Sequence, residues 1–289
     1  MQTIIRPGEY RFQLGDMTIA TILDGYRQGD GPHPTFGANV DEAEVHALMR
    51  ANFLPETRFE HHFVPILVET GGELVLFDTG FSRGTNPTAG FLQDGMKRLG
   101  HKPEDVTVVV ITHGHGDHIS GLMTDGKESF PNARYAIGQK EYDFWVSDEP
   151  AKVGRGDNAK MFEANFVPLV DRTTFLQPGD EVVPGITAVE AFGHSPGHLA
   201  FMLESGGKRL LHMADTTNHY VASLQRPDWH VSFDTDKEQA AATRRRIFEM
   251  AASERIPVTG FHMPFPSVGF VEKTADGYRW VPASYQMNL

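Results

Sequence analysis

The sequence of 289 residues contains no cysteine, which excludes disulfide bonds and thiolate ligands to a metal. Any metal site must therefore use imidazole and carboxylate side chains. Long apolar runs are also lacking, since none approaches the roughly 18 residues that a membrane span requires. The first residues show no basic start followed by an apolar stretch, as a signal peptide would. These absences predict a cytoplasmic protein with no membrane segment.

Positive charge is scarce, because 26 lysines and arginines face 38 aspartates and glutamates, which makes the formal net charge -12. A chain with this balance repels phosphate backbones, so we expect a small-molecule substrate and no nucleic-acid partner. Internal repeats and flexible linkers are also missing, and a single domain over residues 1–289 is the simplest organisation. Histidine, by contrast, occurs at 14 positions, and their placement carries the functional argument.

Hydrophobic periodicity predicts an α/β protein. The N-terminal third is typical of strands, residues 41–52 predict a helix, and residues 61–80 predict a hairpin. A last long helix is predicted over residues 236–255, opened by a capping box from Thr235 to Glu238. Further strands are predicted at 106–112, 133–138, 181–192, 201–215, 256–262 and 270–282.

Side chains that can bind metals follow five of the predicted strands directly. They are Asp78, His113, His194, Asp215 and His262. In sheets flanked by helices, ligand sites gather outside the carboxyl ends of the strands. We therefore expect these five side chains to meet at one edge.

Residues 112–118 read Thr-His-Gly-His-Gly-Asp-His and concentrate metal ligands in one segment. The motif places His113, His115, Asp117 and His118 within six positions. A regular helix cannot aim all four at one point, whereas a loop with two glycines can wrap around an ion. Ligands of this kind suit zinc, or manganese, iron or cobalt. A histidine-rich polar surface loop is the alternative interpretation.

This His-x-His-x-Asp-His motif resembles the signature of the metallo-β-lactamase superfamily. Four further segments are similar to that family, namely LVLFDTG at 74–80, GHSPGH at 193–198, HMAD at 212–215 and GFHMPFP at 260–266. The His-x-Pro-Phe-Pro segment and the closing GYRWVPASY look like methyl parathion hydrolase-like and lactonase-like members. The resemblance covers roughly residues 60–289. It implies a four-layer αββα sandwich, with residues 1 to about 60 as an N-terminal extension.

The same resemblance implies two divalent metal ions, with zinc as the first choice. One ion would be held by His113, His115 and His194, and the other by Asp117, His118 and His262. Asp215 would bridge the ions, and a hydroxide between them would attack the substrate. Asp117 would orient that hydroxide or pass a proton to the leaving group. The implied activity is hydrolysis of a small ester-like substrate: a lactone, a carboxylic ester or a phosphotriester.

Residues around the implied ligands receive supporting roles. Asp78 and His198 are expected beside the ligands rather than on the metals. The expected apolar substrate pocket uses Phe81, Trp145, Met263 and Phe265, with core packing as the alternative for each. The Gly-x-Ser-x-Gly pattern around Ser195 does not indicate a serine hydrolase. The next residue is Pro196, which lacks the N–H that an oxyanion hole needs.

Several other interpretations stay open on the sequence. A thioesterase, a nuclease and a mononuclear iron dioxygenase are alternatives within the same fold. The segment from Ile22 to Phe53 is a candidate homodimer contact or lid. Arg244–Arg246 is interpreted as a solvated helix face. A last group of histidines is interpreted as satisfied or exposed, namely His61, His62, His212, His219 and His230.

Overall fold

The computed structural model of the chain describes residues 8–283. Its α-helices are α1 Glu42–Ala51, α2 Leu92–Leu99, α3 Gly116–Ile119, α4 Gln139–Trp145, α5 Glu149–Lys152, α6 Gly156–Asn165, α7 Ala222–Gln225 and α8 Lys237–Ser253. Its strands are β1 Glu9–Leu14, β2 Met17–Ile22, β3 Gly25–Asp30, β4 Arg58–Phe63, β5 Ile66–Thr70, β6 Glu73–Phe77, β7 Val108–Ile111, β8 Met123–Thr124, β9 Lys127–Glu128, β10 Arg134–Gly138, β11 Thr173–Leu176, β12 Glu181–Val183, β13 Ile186–Glu190, β14 Leu199–Ser205, β15 Lys208–His212, β16 Pro257–Thr259, β17 Val268–Lys273 and β18 Tyr278–Pro282.

Two seven-stranded sheets form the centre of the molecule. The first has the strand order β1-β2-β5-β6-β7-β10-β11, and the second has the order β12-β13-β14-β15-β16-β17-β18. In the first sheet, β6, β7, β10 and β11 run parallel, so their carboxyl ends share one edge. In the second sheet, β15 and β16 pair in parallel.

The central strands bury both of their faces. In β7, Val108 and Val110 point into the core between the two sheets, where they join Phe201 of β14. Val109 and Ile111 of the same strand pack on the outer side of the sheet. A strand that is covered on both faces has a continuous apolar sequence rather than an alternation of apolar and polar residues.

Helices cover the outer face of each sheet. Met96 of α2 and Trp145 of α4 pack outside the first sheet, and Ile247 and Phe248 of α8 pack outside the second. The layers therefore follow the order helix, sheet, sheet, helix. The predicted four-layer αββα sandwich is confirmed.

Two predictions about the last long helix need correction. The N-cap of α8 is Asp236 instead of Thr235, and the Asp236 side chain accepts a hydrogen bond from the Gln239 amide. The interpretation of Arg244 as part of a solvated face is wrong, because this side chain is only 1% exposed. Arg244 shares the helical stripe of the buried Ala240 and Ile247, which turns it toward the protein interior.

The first 60 residues divide between the first sheet and a separate ribbon. Strands β1 and β2 pair with each other, and β2 pairs with β5, so this part of the predicted extension belongs to the sheet. Strands β3 and β4 form a two-stranded ribbon. Phe53 follows α1 and is exposed, and the homodimer contact stays a prediction. No helix within residues 8–283 is long and apolar enough to cross a membrane.

Candidate metal centre

Loops that follow five strands meet at one edge of the sandwich. Asp78 follows β6, His113 lies after β7, His194 after β13, Asp215 after β15 and His262 after β16. The chain turns sharply at the first of these positions, where the backbone φ is 59°. Aspartate tolerates this left-handed conformation better than most residues. All five side chains are buried.

Three imidazoles form the first cluster of candidate ligands. His194 Nε2 lies 3.2 Å from His113 Nε2 and 2.9 Å from His115 Nδ1, and the last two atoms are 2.9 Å apart. Asp215 Oδ2 lies 3.3 Å from His194 Nε2. Four ligands around a tetrahedral Zn²⁺ would lie about 3.3 Å apart, because Zn–N bonds measure about 2.0–2.1 Å. The spacing of these atoms therefore fits one tetrahedral cation.

Asp117 and His118 of α3 form the second cluster together with His262. His262 Nε2 lies 3.4 Å from Asp117 Oδ2, and His118 Nε2 lies 3.7 Å from the same oxygen. Asp215 reaches this cluster as well: Oδ1 is 3.4 Å from His118 Nε2, and Oδ2 is 3.0 Å from His262 Nε2. One carboxylate thus faces both clusters, as a bridging ligand requires.

Buried polar atoms without partners support the fit to metal ions. His118 Nε2 and Asp215 Oδ1 have no hydrogen-bond partner although both are buried. Leaving such an atom unsatisfied costs about 1–3 kcal/mol. A divalent cation between these two atoms would satisfy both, and imidazole and carboxylate are ligands that zinc accepts. The residues present therefore fit a pair of divalent cations.

Asp78 and His198 contact the candidate ligands without joining either cluster. Asp78 Oδ2 lies 2.8 Å from His118 Nδ1, so it can accept that proton and direct the Nε2 lone pair toward the centre. His198 Nε2 accepts a 3.3 Å hydrogen bond from the Asp215 amide, and His198 Nδ1 lies 2.8 Å from the carbonyl oxygen of Ala191. Both side chains thus orient a candidate ligand or its backbone.

Burial and neighbouring charges set the protonation of the clusters. Burial, together with the nearby imidazoles, lowers the pKa of His113 and His115 well below the ordinary value, so both are neutral. Burial opposes ionisation of Asp215, but the adjacent imidazoles outweigh it and hold the pKa of Asp215 well below its usual range. The first cluster therefore offers neutral imidazoles beside an ionised carboxylate, the forms that bind metal. In the second cluster burial is outweighed by Asp215, which raises the pKa of His118 and His262, so a cation would have to displace their protons.

Asp234 is a buried carboxylate that sequence reasoning missed. Its Oδ1 lies 2.9 Å from His194 Nδ1, and its Oδ2 accepts a 2.7 Å hydrogen bond from Arg244 Nη1. Burial alone would raise the pKa of Asp234, but His194 and Arg244 hold it below the ordinary value. The signal available in the sequence was an arginine on the apolar stripe of α8.

Replacing Asp234 by Asn is expected to lower the free energy of unfolding by about 3 kcal/mol, because the buried Arg244 loses its counter-charge. Metal affinity should fall about tenfold, because His194 loses the acceptor that orients it. Urea denaturation and chelator competition measure the two effects. The control is Asp228→Asn, which breaks the exposed pair with Arg245 and should cost less than about 1 kcal/mol. Equal effects of the two substitutions would contradict this account.

Glu141 of α4 is a second missed residue, and it ties the two loops of the first cluster together. Its Oε1 accepts hydrogen bonds from the Gly114 amide at 2.8 Å, from Trp145 Nε1 at 2.6 Å and from the Ser195 hydroxyl at 2.6 Å. Its Oε2 accepts from the Gly197 amide at 2.8 Å. The first donor belongs to the loop after β7, and the serine and last glycine belong to the loop after β13. The serine hydroxyl is thus engaged by Glu141, in a fully buried position.

A cavity of about 840 Å³ opens onto the candidate ligands. Phe81 lines it, as do Phe63 and His61. The His61 ring stacks on that of His262 with 4.8 Å between centroids, and His61 Nε2 is buried without a hydrogen-bond partner. The interpretation of His61 as an ordinary satisfied or exposed histidine is therefore wrong.

Three of the four predicted pocket residues do not line this cavity. Trp145 is 2% exposed and packs beneath the centre, with its ring centroid 5.8 Å from that of His115. Met263 is fully buried in the core outside the second sheet. Phe265 donates its backbone amide to His62. Met263 and Phe265 were predicted from their position near His262 in sequence, but neighbouring side chains leave the backbone in different directions.

A second cavity of about 370 Å³ lies beside the β3–β4 ribbon. It is lined in part by Met49, Leu54 and Tyr220, and it reaches His262. Alternation along β4 turns successive side chains to opposite faces. In this way β4 contributes His61 and Phe63 to the lining of the first cavity and Glu60 and His62 to the lining of the second.

The sequence match to a known family covers most of the segments just described. The model of the metallo-beta-lactamase superfamily matches residues 65–259. The chain belongs to this superfamily. The match runs from β5 to β16 and contains the candidate ligands up to Asp215, while His262 lies three residues beyond it.

Relatives of this superfamily member include lactone-cleaving enzymes. An N-acyl homoserine lactonase of Bacillus cereus is 26% identical over 210 residues, which cover 68% of this chain and 75% of the relative. The structure of AidC, a dizinc quorum-quenching lactonase in complex with a product, has a TM-score of 0.88 at 26% identity and covers 96% of this chain and 98% of its own. The hydrolase AbOPH is similar in fold, with a TM-score of 0.90 at 24% identity and coverage of 98% and 100%. The prediction of a metal-dependent hydrolase with the metallo-β-lactamase fold is confirmed.

Proposed function

We propose that this superfamily member hydrolyses a lactone or another small carboxylic ester with the aid of two divalent cations, with zinc as the first choice. The observation that carries the proposal is the pair of ligand clusters that share Asp215. With three protein ligands and one shared carboxylate at each cation, water and substrate would take a fifth position, since such cations can expand from four to five ligands. The lactonase activity of the Bacillus cereus relative and of AidC supports the ester as the reacting group.

The residues of the site would divide the work between them. Bound cations would supply an ionised water as nucleophile and would polarise the substrate carbonyl. Asp215 would hold the two ligand clusters at a fixed distance from each other. Asp117, whose side chain is 22% exposed at the cavity, would move a proton between the attacking water and the leaving alkoxide. Phe63 and Phe81 would exclude bulk water from the reacting ester.

The test ranks substrates on the metal-replete protein. We expect hydrolysis of an acyl-homoserine lactone or an aryl acetate to be faster than hydrolysis of a phosphotriester, which we regard as incidental. Elemental analysis should find two cations per chain, and a chelator should abolish the activity reversibly. A single iron per chain would point instead to a mononuclear dioxygenase. If the metal-replete protein cleaved none of the three substrates, the proposed function would be contradicted.

A further inference from the structure

Two arginines line the cavity in front of the candidate metal centre, although the chain as a whole is acidic. They are Arg27 of β3 and Arg155, which directly precedes α6. Among residues 8–283, no carboxylate lies at ion-pair distance from either guanidinium. Both charges are therefore available to a ligand in the cavity.

Arg155 is fixed in place but not neutralised. Its Nη2 donates to the backbone oxygen of Phe233 at 2.7 Å and to that of Ser232 at 3.5 Å. Partial burial lowers the pKa of Arg155, and the more distant Asp234 only partly opposes this. A guanidinium carries five N–H donors in a planar fork. With one nitrogen held by carbonyl groups, the remaining donors can bind an anion in a defined geometry.

Arg27 reaches the same cavity from the β3–β4 ribbon. It is paired directly with His61 in the antiparallel register. Directly paired residues of neighbouring strands point to the same face of a sheet. Arg27 therefore shares the ribbon face of His61, and both side chains line the cavity. Arg27 is exposed, so water and salt weaken its attraction for an anion more than they weaken that of Arg155.

The remaining lining mixes polar and apolar side chains, with Phe63, Phe81 and Phe233 among the apolar ones. Apart from the candidate metal ligands, the charged groups are the two arginines and one carboxylate, Asp125. Much of the uncharged lining is hydroxyl and amide, from Ser82, Thr85, Asn86, Ser120, Asn158 and Asn165. An uncharged acyl chain would gain nothing from either guanidinium, whereas an anionic group would form charge-assisted hydrogen bonds with them.

We propose that the substrate is an ester or lactone that carries a carboxylate away from the scissile bond, and that Arg155 binds this carboxylate with support from Arg27. This inference rests on the proposed hydrolase function. Cations at the metal centre would also attract anions, so a preference of the wild-type enzyme alone does not identify the arginines. The decisive quantity is the change in that preference when each arginine loses its charge.

The experiment compares two p-nitrophenyl esters on the metal-replete enzyme. One is the mono-ester of adipic acid, and the other is its uncharged isostere, in which an isopropyl group replaces the distal carboxylate. We expect a higher kcat/KM for the anionic ester. Arg155→Gln should lower the ratio of the two kcat/KM values about tenfold, and Arg27→Gln about threefold. Arg155→Lys should retain part of the preference, because it keeps the charge but loses the fork.

The control variant is Lys208→Gln, which removes an exposed positive charge at the start of β15, outside the cavity lining. Its ratio should equal that of the wild type. The inference is overturned, and the hydrolase function stands, if the uncharged ester is cleaved as well as the anionic one. The same holds if Arg155→Gln slows both esters equally. Cleavage of neither ester by the wild type, together with no activity on lactones or aryl acetates, would overturn both proposals.

Discussion

Replacing Asp215 by Asn is expected to reduce the metal content from two cations per chain toward one and to lower kcat/KM by about 10²-fold or more. The carboxylate is the group that faces both clusters, with Oδ2 3.3 Å from His194 Nε2 of the first and Oδ1 3.4 Å from His118 Nε2 of the second. Asparagine keeps the shape of the side chain but removes the negative charge and presents an N–H₂ group to one cluster. Elemental analysis and steady-state kinetics measure the two effects.

The neighbouring imidazoles give a second reason to expect weaker metal binding in the Asp215→Asn protein. Asp215 is ionised because the protonatable His262 and His118 hold its pKa down despite burial. The uncharged amide would therefore also weaken the attraction for a cation at both clusters. Asp276→Asn, in the exposed turn between β17 and β18, is the matched control and should leave metal content unchanged. An Asp215→Asn protein with two tightly bound cations and normal kinetics would rule out a bridging carboxylate.

Replacing Glu141 by Gln is expected to weaken metal binding about 10–100-fold and to lower the free energy of unfolding by about 2–3 kcal/mol. Four donors converge on this fully buried carboxylate. A glutamine oxygen can replace one carboxylate oxygen, but its N–H₂ group then faces another donor, either the Gly197 amide or the group of three donors at Oε1. The loops that carry His113 and His194 would lose their common anchor.

Two measurements separate a positioning role of Glu141 from general support of the fold. Chelator competition reports metal affinity, and denaturant titration of the same protein reports stability. Glu149→Gln on α5 removes an exposed carboxylate that pairs with Lys152 and should change neither quantity by much. Loss of stability with unchanged metal affinity would show that Glu141 supports the fold alone. Unchanged values of both would refute the role altogether.

Local patterns account for the elements that the sequence predicted well. The β5–β6 hairpin and the buried strand β7 follow from runs of apolar residues and from the glycine pair between the hairpin strands. Such signals act over a few residues, so they can be recognised without knowledge of the distant contacts. The order of the four layers is different, because it was expected from a family resemblance rather than from periodicity.

Contacts between distant segments account for the residues that the sequence analysis missed. Asp234 contacts His194 across 40 positions of the chain, and Glu141 contacts Gly197 across 56. Arg155 donates to Phe233 across 78 positions. No local motif records these pairs, because each depends on where a helix packs against a loop from another part of the chain.

The sequence by itself determined the chemistry available to the site: imidazole and carboxylate without thiolate, gathered in one glycine-containing motif and at the ends of strands. Only the tertiary structure decided which nearby side chains face the cavity. Trp145 and Met263 are adjacent to the site in sequence or space, yet they pack into the core, whereas His61 and Arg155 border the cavity. The reason is that packing sets the rotation of each helix and strand about its own axis, and this rotation aims the side chains.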